Sequence, residues 1–183
     1  LTYPLLAWHP SGDILGFTLE DAGRCYYYPY SLTHHKADKR ILVDVEKITD
    51  LSFSEDGKYM LFSGFLQGQS DIFLYSLRAR TFKNLTQDFY DDYAPRFMKG
   101  QKQIVFSSKR PDPYLHPKES FKDLTPQNHY DLFMYDFEHE DNDLLQITYT
   151  PSADETNVRS IDHQSLTFLS NENNINRDPN KYA

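Results

Sequence analysis

Residues 51–77 read LSFSEDGKYMLFSGFLQGQSDIFLYSL. An aromatic residue, Phe53, precedes a polar turn centred on Asp56 and Gly57, and two apolar runs follow, YMLFS at 59–63 and DIFLYSL at 71–77. Short runs of Phe, Tyr, Ile, Leu and Met between Gly, Asp and Ser punctuation are strand signals, and no window of the chain carries a sustained helical apolar stripe. Asp-Gly is a tight hairpin signal, because Gly57 can supply the positive φ that such turns need. Met60, Leu61 and Phe62 are apolar at consecutive positions, as are Ile72, Phe73, Leu74 and Tyr75. A strand with one wet face alternates instead, so these strands are predicted to bury both faces, as a sheet stacked between two others does.

The stretch is one copy of a repeat. Trp8, Phe53 and Phe97 fall in register, 45 and then 44 residues apart. Each is followed by a polar turn (HPSGD, SEDGK, MKGQK) and then by an apolar run: ILGFT at 14–18, YMLFS, or QIVFS at 103–107, which contains Phe106. Next comes an aromatic segment: CYYYPYSL at 25–32, DIFLYSL with Asp71 and Tyr75, or DLFMYDF at 131–137 with Asp131 and Tyr135. A fourth short element closes the unit, clearest as NLT at 84–86 and QIT at 146–148. A degenerate fourth unit starts near Ile161, with IDHQSLTFLS standing for FSEDGKYMLFS.

Four short antiparallel strands per unit of about 40–45 residues, stacked radially, describe a β-propeller. The predicted fold class is all-β: a partial β-propeller of about three and a half four-stranded blades. The blades fall approximately at 1–46, 47–90, 91–152 and 153–183, the third carrying an insertion at 111–130 and the last truncated.

Composition agrees with a single folded unit: 183 residues, 39% hydrophobic and 15% aromatic, provide ample apolar surface for a core. The balance of 19 basic against 27 acidic side chains, net −8, with no basic cluster, argues against nucleic acid as a partner. The single cysteine, Cys25, excludes an intrachain disulfide and a multi-cysteine zinc site. No apolar run is long enough to span a membrane as a helix. The opening residues, LTYPLLAWHP, lack the regions of a signal peptide, but they begin on Leu1 rather than Met and say nothing about export.

The second unit resembles the TolB-type propeller repeat, whose usual form is an aromatic-Ser-Pro-Asp-Gly-Lys turn, an Ile-x-Phe-x-Ser strand and a Gly-x-x-Asp-Ile-Tyr segment. The matching residues are Ser54, Asp56, Gly57, Lys58, Phe62, Ser63, Gly68, Asp71, Ile72 and Tyr75. Glu55 replaces the usual Pro, and the third turn loses its Asp. The stretch LTQDFYDDYAPRF is also similar to propeller segments of large envelope-associated proteins of Gram-negative bacteria. That resemblance implies a periplasmic or outer-membrane location, other proteins of the cell envelope as partners, and no catalysis. Related propellers also gate the hydrolase domain of prolyl oligopeptidase-type serine peptidases, which is the alternative. Self-pairing of two chains into one ring is a further possibility for an incomplete circle.

No cofactor, metal or catalytic residue is predicted. Asp56, Asp71 and Asp131 recur with the repeat, which suits capping of backbone N–H groups, since a catalytic group is needed once. Asp88, Asp91 and Asp92 lie in an interblade connection without the spacing of a calcium loop, and they read as a hydrogen-bonded turn. The pair His34 and His35 lacks a zinc pattern, GQSDI at 68–72 is not a nucleophile elbow, and the acidic stretch 138–143 reads as a hairpin end. The insertion 111–130 carries four prolines and can be neither a regular strand nor a long helix. Loops of this length are commonly functional, and Tyr114, His116, Phe121 and Tyr130 make it the candidate partner-contact loop.

Overall fold

The computed structural model describes residues 4–116, 125–138 and 144–172, and every regular element among them is a β-strand. The strands form four antiparallel sheets in chain order. The first contains β1 (Leu6–Trp8), β2 (Ile14–Asp21) and β3 (Arg24–Ser31), with β4 (Lys36–Ala37) and β5 (Ile41–Val43) sharing the outer edge of β3. In the second, β6 (Lys47–Phe53), β7 (Tyr59–Leu66), β8 (Gln69–Ser76) and β9 (Thr81–Asn84) pair consecutively. The third repeats that order with β10 (Asp92–Phe97), β11 (Gln103–Ser108), β12 (Asp131–Asp136) and β13 (Leu145–Gln146). Two strands, β14 (Glu155–Ser160) and β15 (Leu166–Ser170), make the fourth. The fold is a partial β-propeller. First strands of successive sheets pack side by side, β1 on β6, β6 on β10 and β10 on β14, so they form its axial wall.

Consecutive apolar residues produce this stacking because each sheet needs cover on both faces. Tyr27 and Val43 of the first sheet, with Val45 of the connection that follows it, meet Met60, Phe62, Phe73 and Tyr75 of the second. The opposite face of the second sheet, through Leu61 and Ile72, covers Ile104, Phe106, Phe133 and Tyr135 of the third. Val105 and Leu132 then pack with Val158 of the fourth. Each large side chain removed from water in this way contributes roughly 1.5–3 kcal/mol.

One cross-strand pair marks the repeat in three dimensions. Phe17 opposes Tyr28, Phe62 opposes Phe73, and Phe106 opposes Phe133. The second pair stacks with ring centroids 5.2 Å apart and is fully buried. The first stacks at 5.1 Å but is only half-buried, because no described sheet covers that face. For the same reason Trp8, at the end of β1, is 62% exposed, whereas its counterparts Phe53 and Phe97 are half-buried.

Turn chemistry fixes where the strands begin. Gly57 adopts φ +68, and a Cβ there would lie 2.6 Å from the His9 ring, whose Nε2 sits 3.0 Å from the Gly57 carbonyl oxygen. Glycine therefore supplies both the left-handed backbone and the space for the neighbouring sheet's turn. The fourth turn reaches the same end without glycine: Asp162 Oδ1 accepts the N–H groups of Gln164 and Ser165. Here the sequence register needs a correction. Ser160, not Ile161, ends the first strand as Phe53 does, and Ile161 opens the turn with its side chain 55% exposed.

Candidate functional site

The recurrent aspartates serve the scaffold. Asp56 accepts hydrogen bonds from the Ser54 hydroxyl (2.7 Å) and the Lys58 N–H (3.1 Å). The Ser54 hydroxyl and Lys58 together hold its carboxyl down to about 2. Asp71 receives the Asn84 amide at 2.6 Å, and Asp131, at the matching register, receives the Gln146 amide at 3.1 Å. Among the described residues no group of His, Cys, Asp and Glu side chains is arranged to hold a metal ion, and no helix is long and apolar enough to cross a membrane.

The connection from β9 to β10 holds a centre that the sequence reading missed. Arg110 lies two residues beyond β11, and its side chain is fully buried. Nη2 donates to both oxygens of Asp92 at 2.9 Å, Nη1 to Asp88 at 2.9 Å and to the Tyr114 carbonyl at 2.9 Å, and Nε to the Ser108 hydroxyl at 3.0 Å. The rings of Tyr90, Phe106 and Phe133 surround the guanidinium with centroids 5.5–5.6 Å from it. One guanidinium nitrogen thus serves both oxygens of Asp92 and another serves Asp88, and charge-assisted hydrogen bonds of this kind are stronger than neutral ones. Asp91, by contrast, caps the Ser70 N–H at 2.9 Å and takes no part.

Electrostatics at this centre are unbalanced, with two buried carboxylates for one cation. Burial, assisted by the Asp92 charge, pushes the Asp88 carboxyl up to about 6 against the pull of Arg110. Burial works to lower the Arg110 pKa, but Asp92 and Asp88 outweigh it, so the guanidinium is held more firmly charged. Because the folded form binds the Asp88 proton more tightly than the unfolded chain, this contribution is full below the ordinary value of 3.8 and is lost as pH rises through about 6. Asp88→Asn keeps an acceptor for Arg110 and removes the titration. Its melting temperature, measured from pH 4 to 7, should fall less with rising pH than that of the parent; parallel curves would show that Asp88 does not titrate in this window.

The buried centre also holds the two described ends of the insertion. Arg110 holds the Tyr114 carbonyl on one side, while on the other Gln127 donates its side-chain amide to the Arg110 carbonyl and its N–H to the Lys109 carbonyl. Tyr114 is 49% exposed, and its ring meets His116 edge-on at 6.4 Å. His116 in turn contacts the Asp112 carboxylate at 2.8 Å and the Tyr90 ring at 6.3 Å. Tyr130 lies apart from this pair, against Tyr93 at 5.8 Å and beneath Lys109 at 4.7 Å. Phe121 is outside the described residues. Tyr114 and His116 are thus brought together beside the buried Arg110 centre, and Tyr130 belongs to a second aromatic group.

No protein-family model matches the chain, and no curated protein matches it. Solved structures do. TolB from Acinetobacter baumannii is similar with a TM-score of 0.59 and 21% identity, over 82% of this chain and 33% of that one. The Dos1 propeller is similar with a TM-score of 0.59 and 13% identity, over 89% of this chain and 38% of that one. Tricorn protease gives 0.51 and 18%, over 71% of this chain and 13% of that one. The chain spans about a third of the length of the TolB structure that it matches.

Proposed function

We propose, from the premise that the chain folds as a segment of a TolB-like β-propeller, that it is a non-catalytic protein-binding scaffold within a larger exported protein. The observation that carries this reading is the insertion, held at its start by the Asp88–Arg110–Asp92 centre, which brings Tyr114 and His116 together beside it. A half-exposed tyrosine whose own carbonyl is held by a buried arginine is the kind of anchor that protein interfaces use. Placement in the periplasm or at the outer membrane, with cell-envelope proteins as partners, rests on the repeat's resemblance to envelope-associated propellers. The gate of a serine peptidase is the second reading, favoured by the likeness in fold to tricorn protease.

A photo-crosslinking residue placed at position 114, and as a control at Ala79 on the exposed β8–β9 turn, tests the scaffold in envelope preparations. A discrete protein adduct is expected from position 114 alone. No adduct there, or the same adduct from both positions, would remove the loop as the contact surface; peptide hydrolysis that a point mutation within the chain abolishes would overturn the scaffold reading.

A further inference from the structure

The axial wall carries a charge pattern that the loop reading does not use. β10 and β14 each contain a bulge, between Tyr93 and Arg96 and between Thr156 and Arg159, with positive φ at Ala94 and Asn157. Bulges re-aim side chains, and these two place an arginine at the same register of adjacent first strands, one residue before the strand end. Ser52 stands at this position in β6 and Ala7 in β1. Each arginine donates to the carbonyl of the residue before it, Arg96 to Pro95 at 2.7 Å and Arg159 to Val158 at 2.8 Å, but Arg96 is part-buried whereas Arg159 is exposed. Arg96 also holds the Asp50 carboxylate at 2.8 Å, with both side chains less than a quarter exposed. Among the described residues no carboxylate lies at ion-pair distance from Arg159. Partial burial, and then the neighbouring Arg96 charge, push its pKa down, while the Asp50 carboxylate pulls the other way.

We propose that Arg159, beside the Asp50–Arg96 pair on the axial wall, binds a carboxylate of a partner peptide. Asp50 shows the geometry: the Arg96 guanidinium already holds a carboxylate, and an incoming one meets the exposed Arg159 at the matching register. In a chain of net charge −8 this local excess of positive charge draws an acidic group to one place. Arginine's fixed fork suits a planar carboxylate, and lysine would not replace it. The assignment rests on the scaffold reading and names the chemistry of what that scaffold takes at its axis.

The test is a titration of the full chain, followed by the Arg Nε–H resonances, with four probes: acetyl-Gly-Glu-Gly-amide, acetyl-Gly-Gly with a free C-terminus, acetyl-Gly-Gln-Gly-amide and inorganic phosphate. Saturable shifts of the Arg159 signal with either carboxylate peptide are expected, the responding peptide telling side-chain from C-terminal recognition. Arg159→Gln and Arg159→Lys should each weaken binding about tenfold, and Asp50→Asn, which frees Arg96, should tighten it. No saturable shift with either carboxylate, an equal response to the Gln peptide, a response to phosphate alone, or unchanged binding in Arg159→Gln overturns the proposal. Failure of the adduct at position 114 with binding here intact would remove the loop's role and leave the axial site standing.

Discussion

Replacing Arg110 with methionine is expected to lower stability by about 3–5 kcal/mol at neutral pH, because it leaves two carboxylates buried without a cation. Both carboxylates are almost wholly enclosed, with side-chain exposure of 1% for Asp88 and 0% for Asp92, so water cannot take over the lost bonds. Methionine fills the space, and the loss is therefore one of charge and hydrogen bonding rather than volume. Urea denaturation of parent and variant measures it. The deficit should shrink as pH falls, since protonated carboxyls no longer need the guanidinium. Arg110→Met combined with Asp88→Leu and Asp92→Leu should recover much of the loss, as apolar replacement of whole buried ion clusters commonly does. A loss below about 1 kcal/mol in the single variant would place the charges in a wetter site than the geometry describes.

Phe62→Ala has a comparable expected effect for a different reason. The ring lies in the central strand of the second sheet, fully buried against Phe73 and facing the first sheet's Tyr27 and Val43 cluster. Deleting it removes its transfer energy and leaves a cavity between two sheets, about 3–5 kcal/mol together. Phe17→Ala at the same register of the first sheet is the internal comparison. Its ring is half-buried, so the loss should be less than half as large. Equal losses from the two positions in denaturant titrations would mean that the open face of the first sheet is covered in solution.

The contrast between these two residues shows what the sequence could and could not disclose. Phe62 is legible because its neighbours in the chain are informative: a turn with Asp56 and Gly57 precedes it, apolar residues flank it, and Phe106 repeats it. Strand type, the four-stranded order and the stacking all follow from such local patterns, and the β-propeller class follows with them. Arg110 has no local signature. In SSKRPD it reads as one more surface charge, and its burial depends on Asp88 and Asp92, 22 and 18 residues earlier in the chain. A signal was present in the acidic side. Asp88 and Asp92 bracket the buried Tyr90 at the entry to a strand, and carboxylates carried into an apolar junction require a cation from somewhere. The aromatic group at Tyr114 and His116 was partly readable from loop length and composition, whereas the separation of Tyr130 from it depends on the packing of Tyr130 against Tyr93 and Lys109.

The consecutive strand order of each sheet has a kinetic consequence. β7 and β8 are joined by Gln67 and Gly68 alone, so that hairpin closes quickly, whereas β11 and β12 must find each other across residues 109–130. Loop closure costs about 0.6 kcal/mol for each doubling of length, roughly 2 kcal/mol between these two connections. The second sheet can therefore form early and offer its Leu61 and Ile72 face as a template, while the third assembles late. Arg110 sits at the mouth of the long connection, and its bonds to Asp88 and Asp92 can form only once β11 has docked beside β10. Those bonds need only the β10–β11 hairpin, closed by residues 98–102, so the ion cluster can form ahead of β12 and, by holding the Tyr114 carbonyl, tether the start of the long connection before its far strand arrives.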